Sequence, residues 1–257
     1  MTGEPPPIER EDQEGVATLW LNRPARLNAM DAALRAALTQ AVRDAEADGQ
    51  VAAILLAGRG RAFCAGQELE EAAHFRPAHA SDWVTAQAAL FEALRATTKP
   101  TVAAWHGAAI GAGLQLGLVC DRRLATAPLR IGQPEVAAGF ASVFGSHFLA
   151  AFVGHAVNLR LSLGCELLEA EEALSLGLLD RLVPEGQLLH AALAEARRLA
   201  AFPREAYALT KRRFREAGQA AFDEAVAAAR LAQARAFGSG EIARALLERK
   251  ARKGAPG

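Results

Sequence analysis

Short apolar runs alternate with longer segments in which apolar residues recur every three or four positions, and this double periodicity runs through most of the chain. Val16 to Leu21 alternates as a half-buried strand does, and Asn22-Arg23-Pro24 stops it. Asp31 stands at the N-cap of a helix reaching about Asp48, with Leu34, Leu38 and Val42 on one face. Residues 51–57 are a short buried-type run closed by the turn from Gly58 to Gly60. A helix over about 81–97 leads to Lys99-Pro100, which biases the chain towards extended structure. Thr101 to Trp105 then reads as a strand, the stretch after Gly113 as a helix, and residues 123–127 as another strand. This alternation predicts an α/β core in which helices cover short strands.

Residues 136–151 are apolar, with glycines at Gly139 and Gly145. Residues 167–182 read as a short helix stopped at Gly177, then a strand ending at Pro184. From Leu188 onward alanine and leucine dominate, and Pro203, Gly218 and Gly238 punctuate three or four helices. The expected division is a core over 1–200 and a C-terminal helical region over 201–257.

The stretch TVAAWHGAAIGAGLQLGLVCD, residues 101–121, crowds Gly107, Gly111 and Gly113 between strand and helix. Glycines allow a tight turn or close backbone approach, and the first N–H groups of the helix have no partner within it. Such groups can receive negative charge. It is not a phosphate loop: Leu116 sits where the dinucleotide fingerprint needs its third glycine, and no GxxxxGK[ST] occurs. Taken alone, the stretch also has a purely structural reading, a turn that only lets a helix pack closely on its strand.

Composition narrows the classes. Lysine plus arginine equal aspartate plus glutamate at 29 each, so no net field recruits nucleic acid or an anionic membrane. Cys64, Cys120 and Cys165 lack metal-ligand spacing and read as reduced core residues of a cytoplasmic protein. The opening MTGEPPPIEREDQEG is polar and proline-rich, unlike a signal peptide or an anchor. No apolar run is long enough for a membrane span.

Four motifs then stand in register: Asn22-Arg23-Pro24 with Leu27-Asn28-Ala29-Met30; Phe63-Cys64-Ala65-Gly66-Gln67-Glu68-Leu69; Gly107 to Gly113 with Cys120-Asp121; and Gly132-Gln133-Pro134-Glu135. In their order and separations, over nearly the whole chain, the sequence resembles the enoyl-CoA hydratase/isomerase, or crotonase, family. The resemblance implies a right-handed spiral of ββα turns with C-terminal helices, assembled as a homotrimer or a dimer of trimers. It implies an acyl-CoA substrate, coenzyme A being part of that substrate, with no separate cofactor and no metal. By motif position, the backbone N–H groups of Ala65 and Ala112 would meet charge on the thioester oxygen, and Glu135 would move the proton.

The same resemblance places substrate contacts at Arg26 and Leu27, at Ala65, Gly66, Gln67, Glu68 and Leu69, and at Gly111, Ala112 and Gly113. Gln115 and Pro134 complete them. It also sets the segment 70–77, otherwise a mobile surface stretch, beside the acyl pocket. Lys211-Arg212-Arg213 with Arg215 is a solvated helical face on its own composition, and a contact to the coenzyme A phosphates by resemblance.

One departure matters most. Hydratases of the family use two glutamates, and Gln115 stands where the first falls. An amide cannot act as a general base, though it can donate or accept a hydrogen bond. The loop 141–147 carries Val143 and Phe144, which would narrow the space for a catalytic water. The expectation is therefore double-bond isomerisation by Glu135, with hydration, another reaction of the family such as hydrolysis or bond cleavage, or acyl-CoA binding without turnover as alternatives. His106 and His147 are candidate second acid–base groups or packed histidines.

Overall fold

The structure, a computed structural model, describes residues 5–254. The chain runs β1 (Ile8–Gln13), β2 (Val16–Leu21), α1 (Ala32–Ala47), β3 (Ala53–Gly58), α2 (Leu69–Ala72) and α3 (Ala80–Ala96). The central elements follow: β4 (Thr101–Ile110), α4 (Ala112–Leu118), β5 (Arg122–Gly132), α5 (Val143–Leu149) and α6 (His155–Ser162). After β6 (Leu167–Leu168), α7 (Ala170–Ser175) and β7 (Arg181–Leu182) come α8 (Leu188–Ala200), α9 (Arg204–Ala217), α10 (Gln219–Ser239) and α11 (Glu241–Gly254).

Among the described residues the strands form one seven-stranded sheet in the order β1-β2-β3-β4-β5-β6, with β7 also on β5. The pairs from β2 to β5 are parallel, and β1 and β6 are antiparallel edges. Both faces are covered, which is why these strands read as near-continuous apolar runs. Leu19, Ile54, Leu56, Ala103 and Trp105 face the larger core with α1, α3 and α4. Val16, Leu55, Val102 and Leu124 face a second core that α8 closes with Ala192, Ala196 and Leu199.

A second, smaller layer makes the arrangement a spiral. The register of β4 slips between Trp105 and Gly107, and Gly107 takes a φ of 63° that a side chain would resist. Beyond that bend Ala109 pairs with Ile131 and bridges Cys64, while Gln67 bridges Met30. Successive turns of chain are thus stitched together just where the four motifs lie.

The ends of the elements follow from their residues. Asp31 caps α1 by accepting from the Leu34 N–H at 2.8 Å. Lys99 Nζ donates to the Ala45 and Asp48 carbonyls at 2.6 and 2.7 Å, closing the other end. Lys211 Nζ on α9 pairs with Asp121 at 2.8 Å and also donates to the Lys99 carbonyl at 2.9 Å. Arg215 pairs with Glu92 at 2.8 Å. Half of the basic run is thereby spent latching α9 to the core, and none of it lines the cavities described below.

Several expectations need correction. The polar stretch before Gly15 contains β1, an edge strand held by backbone pairing to β2 with little apolar burial; its first four residues lie outside the described ones. Gly238 does not end a helix, since α10 continues to Ser239 and Gly240 forms the left-handed cap. Cys64 and Cys120 are buried, but Cys165 is only half-buried and sits in a loop. Residues 141–147 are not one loop, because α5 begins at Val143. The segment 70–77 is only partly on the surface: Ala72 is buried and Phe75 joins Trp83, Phe140 and Phe237 in an aromatic cluster tying α3 to α10, while His74, Arg76 and Pro77 are exposed.

A Cβ at Gly117 would fall inside the Trp105 ring, whereas one at Gly49 meets nothing within 4 Å. Gly117→Ala is expected to lower stability by about 1–3 kcal/mol through overpacking, despite the better helix propensity of alanine. Gly49→Ala should stay within about 0.5 kcal/mol of the parent in urea unfolding.

Candidate active site

Three turns of the spiral converge on one point. Gly66 has a φ of 94°, and a Cβ there would sit 3.1 Å from the Ile110 carbonyl oxygen. Gly111, with a φ of 51°, would place a Cβ 3.8 Å from both the Gly66 Cα and Glu135 Oε1. Any side chain at either glycine would enter the gap between these strands. Around it lies a cavity of about 90 Å³, bordered by Gln67, Gly111, Gln115 and Glu135 and by the apolar Phe140 and Phe144.

Glu135 follows Pro134 at the end of β5 and turns its carboxyl into this cavity. Among the described residues lining it, Glu135 is the only carboxylate. Burial pushes its pKa up to about 7, although Gln115, Gln133 and Ser142 contribute polar contacts that pull it down. Gln115 on α4 donates from Nε2 to Glu135 Oε1 at 2.8 Å. Gln133 and Ser142 approach the carboxyl without good hydrogen-bond geometry, and their buried polar atoms have no partner among the described residues. Among the described residues the groups that act on the acid are three neutral polar side chains and no cation, an environment that leaves it able to exchange a proton near neutrality.

The backbone donors differ from expectation. The Ala65 N–H is donated to the Leu27 carbonyl at 3.0 Å and is not available to a ligand. Around the Met30 bridge, the Met30 N–H binds the Gly66 carbonyl at 2.7 Å and the Glu68 N–H binds the Met30 carbonyl at 3.0 Å. By strand alternation the intervening Gln67 N–H points the other way. It has no partner among the described residues, and neither does the N–H of Ala112 at the start of α4.

The remaining expected residues divide cleanly. Ala65, Gly66, Leu69, Gly111, Ala112 and Pro134 line the cavity. Gly113 does not: it is buried, and a Cβ there would strike the Cys64 carbonyl, so its part is close packing of α4. Arg26, Leu27 and Glu68 line an adjoining cavity of about 250 Å³ that shares Ala65, Gln67 and Leu69 with the first. Arg61, Arg249 and Lys250 border it too, and Glu70 pairs with Arg26 at 3.1 Å and Lys250 at 3.3 Å. Phe144 narrows the first cavity, but Val143 does not reach it.

Neither histidine does either. His106 Nε2 lies 3.0 Å from the Gly60 carbonyl oxygen, on another surface. His147 packs against Phe148 and Phe222, where desolvation and Arg95 lower its pKa.

Sequence reading missed Trp83 and Gln87 from α3, Gln233 from α10 and Arg249 from α11, all of which line the first cavity. A signal existed for two of them. Gln87 shares a helical face with Val84, Leu90, Phe91 and Leu94, and Gln233 falls four residues after Ala229 and four before Phe237. An amide on an apolar stripe is a buried polar group in search of a partner.

The layered spiral and the enclosed carboxylate beside unpaired backbone N–H groups define a crotonase-type α/β protein. The chain belongs to the enoyl-CoA hydratase/isomerase family, whose model matches residues 11–248. A probable enoyl-CoA hydratase of Mycobacterium bovis is 33% identical over 242 residues, covering 93% of this chain and 90% of that protein. A crystal structure of an enoyl-CoA hydratase from Mycobacterium smegmatis is 30% identical with a TM-score of 0.78, covering 87% of this chain and 90% of the other. That of a monofunctional enoyl-CoA isomerase from M. smegmatis is 28% identical with a TM-score of 0.69, covering 86% and 98%.

The raised pKa of Glu135 has a consequence for stability. The unfolded chain releases this proton near 4.5 and the folded one near 7, so the folded state binds more protons between them. Stability from this group is complete below 4.5 and lost as pH rises through about 7. Glu135→Gln, neutral at every pH, should therefore be more stable than the parent at pH 8 by on the order of 3 kcal/mol and match it at pH 4, in urea unfolding.

Proposed function

We propose that the protein isomerises the double bond of a 3-enoyl-CoA to the 2 position, with Glu135 carrying the proton. The observation behind this reading is the lone carboxylate of the cavity, held at 2.8 Å by an amide where a second acid would be needed to activate water. Glu135 takes a proton from carbon 2, and the electron pair moves onto the thioester oxygen. The N–H groups of Gln67 and Ala112 stabilise that charge, an effect in which one lost donor typically costs about 2.7–4 kcal/mol. Glu135 then returns the proton to carbon 4, and no atom is gained or lost. Gln115 suits both states, since an amide can donate to the carboxylate or, turned over, accept from the acid. The adjoining cavity with Arg26, Arg61, Arg249 and Lys250 would take the coenzyme A arm and its phosphates.

Hydration of a 2-enoyl-CoA is the second reading, favoured by hydratase relatives such as that of Mycobacterium bovis. A further part of the proposal is assembly as a trimer or a dimer of trimers, supported by Phe214, Leu231 and Leu247, which expose 77%, 74% and 66% of their surface on the last helices.

Absorbance and mass measured on a short 3-enoyl-CoA and, in parallel, on the matching 2-enoyl-CoA separate the two reactions. Conjugation of the first substrate at unchanged mass is expected; gain of one water by the second without any conjugation of the first would replace isomerisation by hydration. Glu135→Gln should lower the rate by about 10²–10⁴ while leaving acyl-CoA binding intact. In the parent the rate should rise with pH through about 7 and then level, as the basic form fills; a profile flat from pH 5 to 9 would remove Glu135 from the base role.

A further inference from the structure

One wall of the otherwise apolar cavity carries polar side chains. Gln87 lines it and is only 2% exposed. Its Oε1 accepts from Arg35 Nε at 2.7 Å, which fixes the amide and leaves its NH₂ group over. That group has no hydrogen-bond partner among the described residues. Trp83 lines the same cavity, and its buried Nε1–H is also without a partner among them. Of these two donors on neighbouring turns of α3 the indole N–H is a buried group without a partner among the described residues, although buried polar groups are nearly always paired.

Behind them stands a charge. Arg35 is 3% exposed, lies 5.5 Å from the centre of the Trp83 ring and donates to Gln67 Oε1 at 2.9 Å. No carboxylate of the described residues is within ion-pair distance of it; Glu71 and Asp31 act on it only from further away. Glu71 is itself occupied, accepting from Gln67 Nε2 at 3.0 Å and from the Ala32 N–H at 3.0 Å. A buried cation without an adjacent anion raises the potential of the wall before it.

Resting on the acyl-CoA reading of this cavity, we infer that its acyl pocket is built for a chain bearing an oxygen acceptor beyond the thioester, received by the Gln87 amide beside the Trp83 ring. The charge of Arg35 makes a carboxylate the favoured acceptor, so the substrate class is the monothioester of a short dicarboxylic acid, with a hydroxyacyl thioester second. A site that offers buried donors discriminates strongly against an analogue without the acceptor, because its own groups then stay unpaired.

Calorimetric binding of three five-carbon thioesters to the full chain tests this: glutaryl-CoA, 5-hydroxyvaleryl-CoA and valeryl-CoA. Glutaryl-CoA should bind about tenfold or more tightly than valeryl-CoA, with 5-hydroxyvaleryl-CoA between them. Gln87→Leu should abolish the preference, so that glutaryl-CoA and valeryl-CoA then bind alike. Valeryl-CoA binding as tightly as the other two would overturn the inference while leaving the acyl-CoA reading in place. Binding of none of the three would remove both. The comparison in the parent protein decides the matter even if Gln87→Leu fails to fold.

Discussion

Gly66 and Gly111 meet almost backbone to backbone, from two different turns of the spiral, and the geometry of the site depends on that approach. Both take positive φ values, 94° and 51°, that side chains resist. The approach is possible because β4 bends after Trp105 and the chain beyond it pairs with both Cys64 and Ile131. It leaves the Gln67 and Ala112 amides beside one gap, with Glu135 Oε1 within reach of the same point. Backbone donors fixed in this way need no reorganisation when charge develops, which is the condition for electrostatic stabilisation of a transition state.

Electrostatics in the gap are set by what surrounds Glu135. Desolvation raises its pKa to about 7 against the opposing pull of three neutral polar groups. A lysine or arginine in place of any of them would favour the carboxylate and weaken it as a base. Gln115 is neutral and can hydrogen-bond either form of the carboxyl. The deeply buried Arg35 lies behind Gln67 and Gln87 rather than beside Glu135.

Strands β2 to β5, the helices between them and the glycines of the site were legible because each carries a local signal: a period, a cap or a residue that only a tight approach requires. The carboxylate and the amide at 115 were legible through their motifs. What was not legible depends on pairing between distant segments. Ala65 and Gln67 differ only in which way their N–H groups point, and that is decided by hydrogen bonds to Leu27 and Met30 from an earlier turn. Strand β1 carries almost no apolar pattern because backbone pairing to β2 and ion pairs such as Arg10 with Asp48 and Glu9 with Arg59 hold it in place. Arg249 reaches the cavity from the last helix, and nothing near it in sequence announces that.

A crystal structure with a non-reactive saturated acyl-CoA tests the central claim most directly. The thioester oxygen should lie within hydrogen-bond distance of the Gln67 and Ala112 N–H groups, with the acyl carbons 2 to 4 against the Glu135 carboxyl. An oxygen bound elsewhere, or acyl carbons turned away from Glu135, would contradict the account.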